Sequence, residues 1–305
     1  MRGGKVSAHF RHHRRKPGPL RIVLAALAVA GLTATAANAQ IQRRATGGLS
    51  EPAEAENDAG LATGLDSETI GAFFPQRADL DAMRARGLVR TGLEPAYPER
   101  ARCPVIDSPF GVDTRGDGSL RQKTFFRGYH GGADIPVPEG TPVLAVADGT
   151  VVHKKMGAGI GGIELVLQHA PEDTGFSVWT YTEYKHLMRL PELEIGRRVR
   201  RGEAVALSGK TGTAGRHYGP GGHAHLHLTA FFSGESNYRA GAAFVPMGGQ
   251  WLDPLALFRA PLANSQALVA LPAAQKTVTI AYMTADGEVV PADARVVWPL
   301  ACTRR

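Results

Sequence analysis

The chain has 305 residues, long enough for one sizeable domain with extensions, and a formal net charge of +7. Seven of its basic residues fall within positions 1–21, where no acid occurs, so the rest balances at 28 basic against 28 acidic residues. A phosphate-binding surface has no basic excess to draw on beyond residue 21, which argues against nucleic acid as a partner. Two cysteines are too few for a thiolate zinc cage.

The basic head is followed by an apolar run, Ile22–Leu32, and by Ala37-Asn38-Ala39. That order reads as a secretory leader, 1–39, cut after Ala39; the apolar run is short for a membrane span. Export to the periplasm or cell envelope is therefore expected, with no stable span in the mature form. In that compartment Cys103 and Cys302, the only pair, are expected to form a disulfide.

Residues 40–66, rich in Ala, Gly, Glu and Thr, read as a flexible linker. Residues 76–86 are strong helix formers stopped by Gly87, which predicts one short helix, and Pro95 and Pro98 then break the chain before Cys103. From there to about residue 232, short apolar runs alternate with Gly/Pro turns: 143–147, 150–153, 163–167, 176–184, 204–207 and 223–232. This spacing predicts antiparallel β structure. Alternating runs at 277–283 and 295–298 around Asp286-Gly287 predict a terminal hairpin. The expected organisation is a leader (1–39), a linker with a short helix (40–102), a β domain (103–262) and a C-terminal β extension (263–305).

Three strings carry chemistry-bearing side chains. In His225-Leu226-His227 the strand period puts both imidazoles on one face and Leu226 and Leu228 on the other, towards a core. His223 shares that parity, behind Gly221-Gly222. His130-Gly131-Gly132-Ala133-Asp134 has too much glycine for a helix, so a turn presenting His130 and Asp134 is expected. The third string is Tyr184-Lys185-His186-Leu187. A catalytic zinc takes three protein ligands of the imidazole and carboxylate type, and one His and one Asp from His130–Asp134 with one His from His225-Leu226-His227 make that count. Gly157–Gly162 and Ser208–Thr211 mimic nucleotide-binding glycine loops, but a strand follows the first and the second lacks its leading glycine, so both are read as turns. His153, His169 and His217 match no pattern.

Taken together, the three strings resemble the lysostaphin/LytM-type zinc endopeptidases in order and spacing. The connecting segments Ser108–Gly111, Gly140–Val152, Ile195–Glu203 and Ser208–Gly212 are similar too, and the resemblance spans roughly residues 104–232. It implies a mainly β fold, an antiparallel sheet with a narrow groove, and Zn2+ held by His130, Asp134 and His227. His186 and His225 would form the catalytic pair, and peptidoglycan stem or cross-link peptides would be the substrate. The family commonly has Pro before its His-x-His and Phe-Glu after it, where this chain has Ala224 and Leu228-Thr229. Gly219–His223 resembles a small insertion beside the groove. Relatives that bind or activate without hydrolysing have lost ligands; all five positions are present here.

Overall fold

The computed structural model describes residues 62–157, 161–213 and 224–305. The leader, most of the 40–66 linker, His217 and Gly219–His223 lie outside them, as does the middle of the Gly157–Gly162 turn. Among the described residues no helix is long and apolar enough to cross a membrane.

Two short helices come first, α1 (Ser67–Phe73) and α2 (Leu80–Ala85). Both start on an aspartate whose carboxylate accepts from the first turn: Asp66 from the Thr69 amide at 2.7 Å and Asp79 from the Ala82 amide at 3.0 Å. The helix expected over 76–86 is shorter, because Pro75–Arg77 forms a separate 3-10 turn and Ala78 is extended. Helix α1 was not expected. Gly71 in its middle lowers helix propensity, yet a Cβ there would lie 2.9 Å from the Ala82 Cβ, so the glycine lets α1 and α2 pack closely.

The strands are β1 (Glu94–Ala96), β2 (Ala101–Arg102), β3 (Ala133–Pro136), β4 (Pro142–Leu144), β5 (Gly149–Met156) and β6 (Ile163–His169). They continue as β7 (Trp179–Lys185), β8 (Arg198–Val199), β9 (Ala204–Leu207), β10 (His225–Ser233), β11 (Tyr238–Ala240) and β12 (Phe244–Pro246). The last are β13 (Gln250–Leu252), β14 (Thr277–Thr279), β15 (Tyr282–Met283), β16 (Val289–Val290) and β17 (Thr303–Arg304).

A seven-stranded sheet runs β13-β10-β7-β6-β5-β8, with β3 also paired to β10, and every pairing in it is antiparallel. Alternation gives it two apolar faces. Leu226, Leu228, Tyr184, Leu165 and Leu167 join one buried cluster, closed over by Leu255, Val278, Ile280 and Trp298. Phe231, Tyr181 and Val166 join the other, under Phe73, Met83 and Trp251. The Phe73 and Trp251 rings stack at 5.7 Å, which docks α1 onto the sheet.

The C-terminal segment departs from expectation. A hairpin does form around Asp286-Gly287, but it joins β15 to β16, and 295–298 is not a strand. Pro291 has no N–H and ends the ladder after Val290. Trp298 instead buries its ring, and the Val297 amide donates to the Val146 carbonyl at 2.7 Å. The expected first strand, 277–283, is divided: β15 enters the hairpin, whereas β14 pairs in parallel with β1, which contains Pro95. An edge pair of this kind tolerates a proline.

Strand β2 pairs with β17, and Cys103 and Cys302 are disulfide-bonded beside that pair, across a sequence separation of 199. Closing so long a loop restricts the unfolded chain by up to about 5 kcal/mol in the entropy model. Reduction is therefore expected to lower the melting temperature by several degrees, and non-reducing peptide mapping should recover the Cys103–Cys302 peptide pair. Two free thiols in exported protein would contradict this.

Asp253, buried where the chain leaves β13, accepts from the Thr91 hydroxyl at 2.5 Å and from the Leu255 amide at 3.0 Å. Burial pushes its carboxyl up to about 6 despite these bonds. The folded state thus holds this proton more tightly than the unfolded state, whose carboxyl titrates near its ordinary value. The resulting stabilisation is present at low pH and is lost as pH rises through about 6. Asp253→Asn should remove that dependence: relative to the variant, the wild type should lose about 2 kcal/mol between pH 4 and pH 7. Parallel denaturant titrations at both pH values would check this, and equal losses in the two proteins would refute it.

Candidate metal centre

The centre forms where β3 pairs with β10. The register sets Asp134 directly opposite His227 and puts His225 two residues along on the same face. Leu226 and Leu228 are buried on the opposite face, as the alternation predicts. Asp134 lies on a strand, whereas a turn was expected for the whole of His130–Asp134; His130 sits just before that strand.

Gly131 and Gly132 explain how the two segments come so close. A Cβ on Gly131 would lie 2.6 Å from the Trp251 ring. One on Gly132 would lie 2.3 Å from the Leu228 carbonyl oxygen and 2.8 Å from His227 Nε2. His130 is further fixed by its amide, which donates to the Val112 carbonyl at 2.8 Å.

Three donor atoms converge. His130 Nε2 is 3.0 Å from Asp134 Oδ1 and 3.0 Å from His227 Nδ1, and His227 Nδ1 is 2.8 Å from Asp134 Oδ1. Among the described residues this is the one group of three or more such side chains whose ligand atoms gather closely enough for a metal. Ligands of a tetrahedral zinc at 2.0–2.1 Å stand about 3.3 Å apart, so a few tenths of an ångström separate this triangle from a zinc site.

The outer contacts set the chemistry of each donor. His130 Nδ1 is 2.9 Å from the Pro109 carbonyl, so it carries the proton and donates there, leaving Nε2 with its lone pair towards the centre. His227 Nε2 is 3.0 Å from the Thr229 hydroxyl, which holds the ring with Nδ1 towards the centre. Burial pushes His227 down to about 3, keeping it neutral. Burial opposes the Asp134 charge, but His130, His225 and His227 around it hold the carboxyl well below the usual range. Asp134 Oδ2 accepts from Arg121 Nη2 at 2.8 Å, and Arg121 also reaches the Ser108 hydroxyl at 2.8 Å. Two imidazoles and one carboxylate, each held from behind, form a donor set that fits zinc.

Two more imidazoles stand beside the triangle. His225 Nε2 is 3.6 Å from Asp134 Oδ1, farther than any contact within the triad. His186 follows β7 with φ 62, a left-handed conformation that costs a non-glycine residue about 1–3 kcal/mol. That turn brings its ring to 4.6 Å from His225 and 5.7 Å from His227. Its Nδ1 donates to the Thr211 carbonyl at 2.8 Å, so Nε2 is the acceptor. Burial, with His225 and His227 nearby, pushes His186 well below its ordinary value.

All five side chains singled out in the sequence thus surround one cavity, which Arg115, Arg121, Tyr129 and Trp251 also line. The sequence reading missed Arg121, Thr229, Thr211 and the Pro109 carbonyl. Thr229 was within reach, since it shares the strand parity of His227; the other three carry no local signal. Of the remaining histidines, His153 approaches Glu164 at 3.5 Å. His169 is buried between the Asp148 carbonyl and the Thr182 hydroxyl, and burial pushes it down to about 4.

Residues 128–237 match the description Peptidase family M23. An uncharacterized metalloprotease of Haemophilus influenzae is 35% identical over 140 residues, covering 46% of this chain and 25% of that protein. The peptidoglycan DD-endopeptidase ShyA of Vibrio cholerae is 35% identical over 119 residues, covering 39% of this chain and 24% of that protein. These matches span about a quarter of the length of the curated relatives. The catalytic domain of the antimicrobial peptidase lysostaphin from Staphylococcus simulans aligns at 22% identity with a TM-score of 0.32, covering 50% of this chain and 86% of that domain.

Proposed function

We propose, on the premise that residues 128–237 belong to peptidase family M23, that this chain is a zinc-dependent endopeptidase cutting peptide bonds of peptidoglycan in the cell envelope. The observation that carries this reading is the convergence of His130, Asp134 and His227 on one point, with His186 and His225 beside it. A relative of 35% identity is a peptidoglycan DD-endopeptidase, which supports the substrate class. The Cys103–Cys302 bond suits an oxidising compartment, as an exported protein requires.

His130, Asp134 and His227 would hold the metal. The chemistry zinc supplies when bound is Lewis acidity, which polarises a carbonyl and makes water a nucleophile near neutral pH. The remaining work falls to the protein. His225, on the same strand face as His227, takes the proton of the attacking water. For His186, the second member of the pair, two roles are open: stabilising the oxyanion and assisting proton transfer. Its Nδ1 proton is committed to the Thr211 carbonyl, so neutral His186 offers a lone pair at Nε2 and suits the second role. The Arg121 guanidinium holds Asp134 Oδ2, which leaves Oδ1 directed at the centre.

Digestion of purified peptidoglycan followed by mass spectrometry of the products tests this reading. Cleavage of stem or cross-link peptides with the glycan strands intact is expected. Unchanged peptidoglycan in the presence of zinc would reject it.

A further inference from the structure

Lys185 ends β7 one residue before His186 and lies across the strand pair from His227. The sheet face that carries the metal triad continues through Lys185 and Glu183 to Glu164 on β6. The Lys185 side chain is only 16% exposed, and its ammonium stands 3.1 Å from Glu183 Oε2 and 3.7 Å from Glu164 Oε2. Both carboxylates are buried. An ammonium has three N–H donors. Two carboxylates, one of them beyond good hydrogen-bond distance, leave at least one N–H for a further acceptor.

That acceptor has room to bind. Lys185 lines the metal cavity and also a second groove that continues from it past Phe125, Phe126 and Trp251. A chain lying in both must pass the ammonium. The local charge indicates what such a chain carries. The sequence beyond residue 21 is neutral overall, yet among the described residues lining the metal cavity Arg115, Arg121 and Lys185 face a single carboxylate, Asp134. Along the groove Lys123, Arg127, Lys155 and Lys185 face only Glu164 and Glu183.

We propose that Lys185 is a substrate-binding residue that takes a carboxylate of an acidic peptide beside the scissile bond, with Glu183 and Glu164 as the positioning residues that aim its ammonium. This deepens the peptidase reading and rests on it. Lys185 paired to two glutamates as a purely structural ion cluster would neither need the groove nor favour an anionic ligand.

The test uses muropeptides released from peptidoglycan, either untreated or with their carboxyl groups converted to carboxamides. Hydrolysis by the unaltered zinc-loaded protein reports on the peptidase reading alone. Binding is measured calorimetrically with the zinc-loaded His225→Ala protein, which is not expected to turn the ligand over. Untreated muropeptides should bind about tenfold or more tightly than amidated ones, as expected of a charge-assisted hydrogen bond. Lys185→Met alone would strand two buried carboxylates and could unfold the protein. Lys185→Met with Glu183→Gln removes one charge of each sign and preserves the balance. In that background the preference for untreated ligand should fall towards one, while Lys185→Arg should retain part of it. An equal preference with and without Lys185, or no preference at the outset, would overturn the assignment. Absence of hydrolysis by the unaltered protein would reject the peptidase reading, and the binding ratio would still decide the role of Lys185.

Discussion

His227→Ala is expected to deplete the centre of metal and to reduce hydrolysis to background. The variant keeps His130 and Asp134, but two ligands cannot hold zinc as three do. The affinity loss should exceed the about 10–100-fold cost of losing an outer-shell partner. The fold should survive, because the apolar face of β10 is carried by Leu226, Leu228 and Ala230, and His227 points away from it. Metal analysis after dialysis, with circular dichroism on the same sample, separates the two effects. Full zinc occupancy in a folded variant would contradict the assignment of His227 as a ligand.

His225→Ala should behave in the opposite way, keeping about one zinc per chain while losing roughly 10²–10⁴-fold in turnover, the range expected when an acid–base group is removed. The geometry separates the two histidines: His225 Nε2 is 3.6 Å from Asp134 Oδ1, against 2.8 Å for His227 Nδ1. Turnover and metal content must be measured on one preparation. Loss of zinc from this variant would mean that His225 is itself a ligand.

The centre was legible where period and composition act locally. The two-residue alternation of β10 foretold which face each of His225, Leu226, His227 and Leu228 would take, but the pairing with β3 that sets Asp134 opposite His227 joins segments 93 residues apart and has no local signal. Gly131-Gly132 ruled out a helix, but its purpose, a backbone pressed against Trp251 and Leu228, became visible only with both partners in place. Arg121 could not have been found, since nothing in Leu120-Arg121-Gln122 marks it and its partner lies 13 residues on. The C-terminal misreading has a related cause. The run at 295–298 was read as a strand for its alternation, but its consecutive residues Val296, Val297 and Trp298 are all buried, as a plug under the sheet centred on Trp298. Periodicity reports that a side chain will be buried; it does not report which partner will cover it.

Titrating metal-free protein with zinc while following the release of peptides from purified peptidoglycan tests the central claim most directly. Hydrolysis is expected to be absent without zinc, to rise in proportion to added metal and to level off at about one equivalent per chain. Cleavage that persists in the metal-free protein, or a protein that binds one zinc and cuts no peptide bond, would contradict it.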